Sequence, residues 1–118
     1  MAANSPDVII VGAGIIGLIL GQALKKADIP FVILERDENA SARIQGWALT
    51  LHWGLEYLKE LLPVENLDAV KECQVDPNFA ANDTGKFLFL NLEDGTTKFE
   101  IPVRERWRVN RDKLRRAL

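Results

Sequence analysis

Three closely spaced glycines are the residues of this sequence that best indicate a ligand-binding site. The run "VGAGIIG" covers residues 11–17 and follows a β-branched apolar stretch at residues 7–11. In a G-x-G-x-x-G pattern, the first glycine permits a tight turn and the second lets the backbone approach a pyrophosphate. The third glycine lets the following helix pack closely, and the N-terminus of that helix attracts phosphate. The pattern predicts that this glycine-rich turn (residues 12–17) binds a dinucleotide through Gly12, Ala13, Gly14, Ile15, Ile16 and Gly17.

An acidic residue follows the glycines at a suitable distance. Glu35 lies eighteen residues after Gly17, close to the spacing of about twenty that this fingerprint requires. Its carboxylate can accept hydrogen bonds from both hydroxyls of a ribose, whereas it would repel a 2′-phosphate. NADP is therefore disfavoured as the ligand. The fingerprint alone leaves FAD and NAD open, and a tightly packed turn that binds nothing is the structural alternative.

The elements that must position these residues form a βαβ unit. Residues 7–11 and 30–35 are apolar and β-branched, which is typical of strands buried on both faces. Between them, residues 14–27 are predicted to form a helix that ends before Pro30. Two strands joined by such a helix are parallel with a right-handed crossover. The sequence therefore predicts an α/β fold with a Rossmann-like nucleotide-binding unit.

Shorter elements are predicted downstream. Asp94-Gly95 lies between two β-rich runs and indicates a β-hairpin. Asn110 is well placed to be the N-cap of a C-terminal helix. Residues 104–109 alternate between arginine and other residues, as in a strand with one charged face. The remaining predictions are a strand at 47–51, helices at 54–62 and 67–73, hairpin strands at 86–92 and 96–101, and the helix at 110–118.

Composition narrows the class of protein. A chain of 118 residues fits one domain, which we assign to residues 1–118. The net charge of −2 disfavours nucleic-acid binding, and a solvated face accounts for most of the basic segment from Arg104 onward. The apolar run at 8–21 is too short and glycine-rich to span a membrane. Cys73 is the single cysteine and the sequence shows no secretory signal, so we expect an intracellular protein.

The sequence also resembles a known family. The run "DVIIVGAGIIGLILGQALKKADIPFVILER", followed by "ARIQGWALTLHWGLEYLKEL", is similar to the N-terminus of class A FAD-dependent monooxygenases of the para-hydroxybenzoate hydroxylase type. The likeness includes the acid–arginine pair Glu35-Arg36, the loop with Arg43 before Gly46, and the helix at 111–118 with its R-x-x-L-x-x-x-L pattern. The resemblance implies FAD rather than NAD as the ligand.

The resemblance also implies roles for individual residues. The glycine-rich turn would line the pyrophosphate, and Glu35 would hold the adenosine ribose. Arg36 would lie along the adenine, where a flat guanidinium can stack. Arg43 would reach towards the pyrophosphate or the flavin, although Gln45 competes with it for this position, and Arg111 would contact the cofactor from the last helix. The complete enzyme would use NAD(P)H and O₂ to hydroxylate or epoxidise a small organic substrate.

Later motifs of that family are not found in this sequence. We therefore expect a piece of a larger monooxygenase that binds the ADP half of FAD and does not turn over alone. Its partner would be the remaining part of the enzyme or another chain. No catalytic residue and no metal site is predicted. Two other functions stay open: a stand-alone nucleotide-binding or assembly module without catalysis, and an NAD-dependent dehydrogenase or other flavin oxidase with the same glycine-rich turn.

Overall fold

A computed structural model of the chain describes residues 5–40, 42, 46–78, 87–102 and 104–118. Three two-stranded sheets and four helices are present in these ranges. In chain order, the elements are β1 (Val8–Val11), α1 (Ile15–Lys26), β2 (Phe31–Leu34), β3 (Ala48–Leu51), α2 (Gly54–Leu61), α3 (Val64–Glu72), β4 (Phe87–Leu90), β5 (Thr97–Ile101), β6 (Trp107–Asn110) and α4 (Arg111–Ala117).

The predicted βαβ unit is confirmed. Strands β1 and β2 pair in parallel, from Val8 opposite Phe31 to Val11 opposite Leu34, and α1 connects them. Helix α1 packs closely on this pair because Gly21 is buried. A Cβ added at Gly21 would lie 3.1 Å from the Phe31 ring and 3.2 Å from Ile33 Cδ1. The glycine therefore sets how near the helix lies to the sheet.

The prediction that β1 and β2 are buried on both faces is wrong. Ile10 faces α1 and is buried, but on the other face Ile9 is 60% exposed and Val11 is 84% exposed. Leu34 of β2 is likewise 53% exposed. A continuous apolar run indicates that both sides of a strand tolerate burial. It carries no information about whether a second layer is present, and here α1 covers one side.

A second sheet and three helices enclose the main core. Strands β3 and β6 are antiparallel, and Gln74 forms an isolated bridge to Val109. Helices α2, α3 and α4 pack against this sheet. Leu55 and Leu58 of α2 and its C-cap Leu62 are buried. The whole buried cluster consists of Leu55, Leu58, Leu62, Val70, Cys73, Trp107, Val109 and Leu114.

Two predicted boundaries in this region are wrong. Helix α3 begins at Val64 instead of residue 67, because Pro63 takes the N-cap position with an extended backbone (φ −55°, ψ 153°) that directly precedes a helix. Strand β6 begins at Trp107 instead of residue 104. The predicted alternation of charged and other side chains forms a strand only where β3 supplies a partner. There Trp107 and Val109 are buried, whereas Arg108 is exposed.

The predicted hairpin is confirmed in β4 and β5. Asp94 Oδ1 accepts hydrogen bonds from Thr96 N (3.0 Å) and Thr96 Oγ1 (2.7 Å), and Gly95 adopts a left-handed conformation with φ +72°. These bonds hold the pKa of Asp94 below its usual value, the backbone bond from Thr96 being the main cause. The phenylalanines of the hairpin remain largely exposed.

The last helix, α4, is capped as predicted. Asn110 Oδ1 accepts hydrogen bonds from the N–H groups of Asp112 and Lys113, both at 3.0 Å. Leu114 is fully buried in the core, and Gln22 Nε2 of α1 donates to the Leu118 carbonyl. These contacts bring α4 beside α1 and close to the glycine-rich turn. None of the helices in the described parts of the chain is long and apolar enough to cross a membrane.

Candidate functional site

The glycine-rich turn lies at the carboxyl end of β1. Gly12 has φ +105°, a conformation that favours glycine, and its N–H donates to the Leu34 carbonyl at 2.7 Å. A Cβ added at Gly17 would come within 2.2 Å of the Gly12 carbonyl oxygen, so this glycine is required for close packing. A Cβ at Gly14 would meet no atom within 4 Å. Gly14, the N-cap of α1, therefore faces open space that a ligand could use.

Glu35 ties the end of β2 to the glycine-rich turn. Its Oε2 accepts a hydrogen bond from Ala13 N at 2.7 Å. Its Oε1 accepts from the backbone N–H groups of Arg36 at 2.8 Å and Asp37 at 3.1 Å. Backbone bonds from Asp37 and then Ala13 hold the pKa of the Glu35 carboxyl below its usual value. The carboxylate is thus ionised at neutral pH and fixed in orientation. Because Oε1 already accepts two hydrogen bonds and Oε2 accepts one, Oε2 keeps acceptor capacity for a ligand hydroxyl.

Arg115 reaches the same turn from α4. Its Nε donates to the Ala13 carbonyl at 3.2 Å, across 102 positions of sequence. Its positive charge also contributes to the lowered pKa of Glu35, as the smallest of the causes. Ala13 is therefore held on both sides, at its N–H by a carboxylate and at its carbonyl by a guanidinium.

These groups surround an open cavity of about 400 Å³. It lies at the carboxyl ends of two parallel strands, where α/β proteins commonly bind ligands. Three basic side chains and two acidic ones line it together with backbone that lacks side chains. The lining residues are Val11, Gly12, Gly14, Leu34, Glu35, Arg36, Asp37, Arg111 and Arg115.

Half of the ten predicted site residues line this cavity. Gly12, Gly14, Glu35, Arg36 and Arg111 line it, and Ala13 lies directly behind it, bonded to two of the lining side chains.

The other predicted residues lie elsewhere. Gly17 lies beneath the turn against the Gly12 carbonyl, and Ile15 packs against the core. Ile16 is 79% exposed without lining the cavity. Arg43 and its alternative, Gln45, fall outside the described residues.

Sequence reasoning missed four lining residues, of which two, Asp37 and Arg115, are charged and two, Val11 and Leu34, are apolar strand ends. Arg115 had a usable signal, because it follows Arg111 by four positions in a helix and therefore shares its face. Asp37 had none, because its place depends on how the chain turns after β2. Together, the arrangement can bind an anion near Arg111 and Arg115 and can accept hydrogen bonds at Glu35.

Comparisons with known proteins agree with this geometry. The family described as NAD(P)-binding Rossmann-like domain matches residues 10–61. A protein of Arthroderma benhamiae assigned as an FAD-dependent monooxygenase is 45% identical over 117 residues, covering 98% of this chain and 27% of that protein. FAD-dependent monooxygenase dbaB of Emericella nidulans is 48% identical over 114 residues, covering 94% of this chain and 28% of that protein.

A solved structure is also similar. It is the crystal structure of a protein from Photorhabdus luminescens that is assigned as an FAD-containing monooxygenase. It matches this chain with a TM-score of 0.67 and 28% identity. The match covers 96% of this chain and 27% of that one. The chain thus spans a little over a quarter of the length of the relatives that it matches.

The fold and the turn define a Rossmann-like dinucleotide-binding unit. Over nearly its whole length, the chain is similar to one segment of proteins that are named or described as FAD-dependent or FAD-containing monooxygenases. The resemblance noted from the sequence is therefore confirmed at this level. The narrower assignment to the para-hydroxybenzoate hydroxylase type stays a prediction.

Proposed function

We propose that this chain binds the ADP half of FAD in the cavity beside the glycine-rich turn. The observation that carries the proposal is the arrangement around Gly14. A Cβ at this glycine would meet no protein atom, and the cavity that Gly14 lines is also lined by Glu35 and by the arginines of α4. A ribose needs hydrogen-bond acceptors and a pyrophosphate needs positive charge, and this cavity offers both within one site.

Each lining group has a role in this proposal. The backbone at Gly12 and Gly14 approaches the pyrophosphate, because no Cβ blocks it. Glu35 accepts a hydrogen bond from a ribose hydroxyl at Oε2, where its three backbone partners leave one acceptor site free. Arg36 lies along the adenine, and Arg111 contacts the phosphates.

FAD is favoured over NAD by the relatives, which are named FAD-dependent monooxygenases. In such an enzyme, the flavin supplies the redox chemistry, and the protein supplies binding and orientation. The residues of this chain do only the latter: they hold the adenosine and phosphate end and fix its direction.

The activity of the complete protein is part of the same proposal. It would be an NAD(P)H- and O₂-dependent monooxygenase of class A that acts on a small organic substrate, with further residues supplied by the remaining part of the enzyme or by another chain. Residues 1–118 would act as a single domain inside the cell, a location supported by the lone, buried Cys73.

Ligand titration of the purified chain tests the proposal. FAD, ADP, NAD and NADP are added separately, and affinity is measured by calorimetry and by the rise in melting temperature. We expect FAD and ADP to bind with similar affinity, because both present the same half to the cavity, and NADP to bind less well than NAD because its 2′-phosphate meets Glu35. Binding of NAD in preference to both FAD and ADP would contradict the assignment to FAD.

A further inference from the structure

We propose that Arg115 is a positioning residue of the phosphate site: it fixes the Ala13 peptide in the glycine-rich turn and adds a second positive charge beside that of Arg111. This inference rests on the proposed function, which concerns the same cavity. It assigns a role to a residue of the terminal helix that neither the glycine fingerprint nor the acid–arginine pair includes.

The geometry of Ala13 is the first support. Its N–H donates to Glu35 Oε2 at 2.7 Å, and its carbonyl accepts from Arg115 Nε at 3.2 Å. These two groups belong to the two successive peptide planes of the turn. Because a trans peptide is planar, fixing the Ala13 carbonyl also fixes the direction of the Gly14 N–H in the same plane. Arg115 thereby determines where one backbone donor of the turn points.

The placement of α4 is the second support. The helix cannot easily move, because Leu114 is fully buried and Asn110 caps its first turn. Arg115 is the next residue after this buried anchor and is itself half-buried. Ordering a long side chain costs conformational entropy. Because α4 is already fixed, less entropy is lost when Arg115 bonds to the glycine-rich turn.

The chemistry of the guanidinium is the third support. The Nε–H group donates to the Ala13 carbonyl. The two terminal nitrogens belong to the same side chain, which lines the cavity. Arginine can bond a carbonyl and an anion at the same time because its five donors are arranged in a rigid fork. Lysine has a compact ammonium on a flexible stem and cannot reproduce this arrangement.

Three variants separate these contributions. Arg115→Gln removes the charge and the fork, and Arg115→Lys keeps the charge without the fork. Arg116→Gln is the matched control, because it makes the same change one residue away, at a side chain that is 54% exposed and pairs with Asp112. Each is purified and titrated with FAD at several salt concentrations, and exchange of the Ala13 amide hydrogen is followed by NMR without ligand.

We expect Arg115→Gln to weaken FAD binding by roughly tenfold or more, the effect of losing a charge-assisted hydrogen bond. Its binding should also depend less on salt than that of the wild type, because one cation near the pyrophosphate is lost. Arg115→Lys should keep the salt dependence. In both variants the Ala13 amide should exchange faster, whereas Arg116→Gln should match the wild type in every measurement.

The outcomes are distinguishable from failure of the proposed function. If the wild-type chain binds no FAD and no ADP, the proposed function fails, and the exchange rates alone decide whether Arg115 orders the turn. Equal FAD affinity and equal Ala13 exchange in Arg115→Gln and Arg116→Gln would overturn the inference while leaving the cavity assignment intact.

Discussion

Replacing Gly17 by alanine tests the contact that holds α1 against the glycine-rich turn. The added Cβ would lie 2.2 Å from the Gly12 carbonyl oxygen and 3.2 Å from Ile10 Cγ2, whereas Cβ contacts below 3.0 Å essentially do not occur. Both the oxygen and the new carbon are attached to backbone, so a side-chain rotation cannot relieve the overlap. To widen this contact from 2.2 Å to 3.0 Å, the helix and the turn must move apart by about 0.8 Å.

The magnitude follows from two opposing effects. Overpacking costs about 1–3 kcal/mol, and the upper part of that range applies because backbone must move. Alanine in a helix is favoured over glycine by about 1 kcal/mol. The net loss in the free energy of unfolding should be about 2 kcal/mol, which lowers the melting temperature by roughly 8 °C for a chain of this size.

Urea and thermal unfolding followed by circular dichroism measure this change, and Gly21→Ala provides the matched control. The nearest atoms to a Cβ at Gly21 belong to the side chains of Phe31 and Ile33, at 3.1 and 3.2 Å, and these can shift by a few tenths of an ångström. The same gain in helix propensity then leaves the net change within about 1 kcal/mol. Equal stability of the Gly17 and Gly21 variants would refute the reasoning from backbone contact.

The remaining predictions concern the cap of α4 and the ionisation of Glu35. Asn110→Ala should lower the free energy of unfolding by about 1 kcal/mol in urea titrations, because two backbone N–H groups lose their acceptor, whereas Asn110→Ser should retain most of the stability. Glu35→Gln should be less stable than the wild type at pH 7. Backbone hydrogen bonds lower the pKa of Glu35 from its ordinary 4.5. The ionised carboxylate therefore stabilises the fold fully above pH 4.5, and this stabilisation is lost as the pH falls through the lowered pKa. The stability difference between the two proteins should therefore shrink in acid, and a gap that is constant from pH 7 to pH 3 would contradict this expectation.

Much of the fold was predictable because local patterns determine it. The glycine spacing, Pro30 and the β-branched runs locate both ends of β1, α1 and β2 to within one residue. Asn110 and Asp94-Gly95 act through bonds to residues two or three positions away, so the α4 cap and the hairpin follow directly from the sequence. In each case, the interactions that define the element lie within a few residues.

Predictions failed where distant residues decide the outcome. The exposure of Ile9 and Val11 depends on which layer covers β1, and a run of apolar residues is compatible with either answer. The start of β6 depends on where β3 offers a partner. Arg115 belongs to the site because buried Leu114 fixes α4 beside the turn. The resulting hydrogen bond from Arg115 to Ala13 spans 102 positions of sequence.

FAD titration of Gly14→Val tests the central claim most directly. The backbone at this residue (φ −73°, ψ 174°) suits valine, and a Cβ there meets no protein atom within 4 Å, so the loss of stability should not exceed about 1 kcal/mol from the poorer N-cap. The side chain would, however, fill the space that we assign to the pyrophosphate. We predict a folded variant, with an unfolding curve close to that of the wild type, that no longer binds FAD at concentrations that saturate the wild type. A folded variant with unchanged FAD affinity would show that the cavity beside the glycine-rich turn does not hold the cofactor.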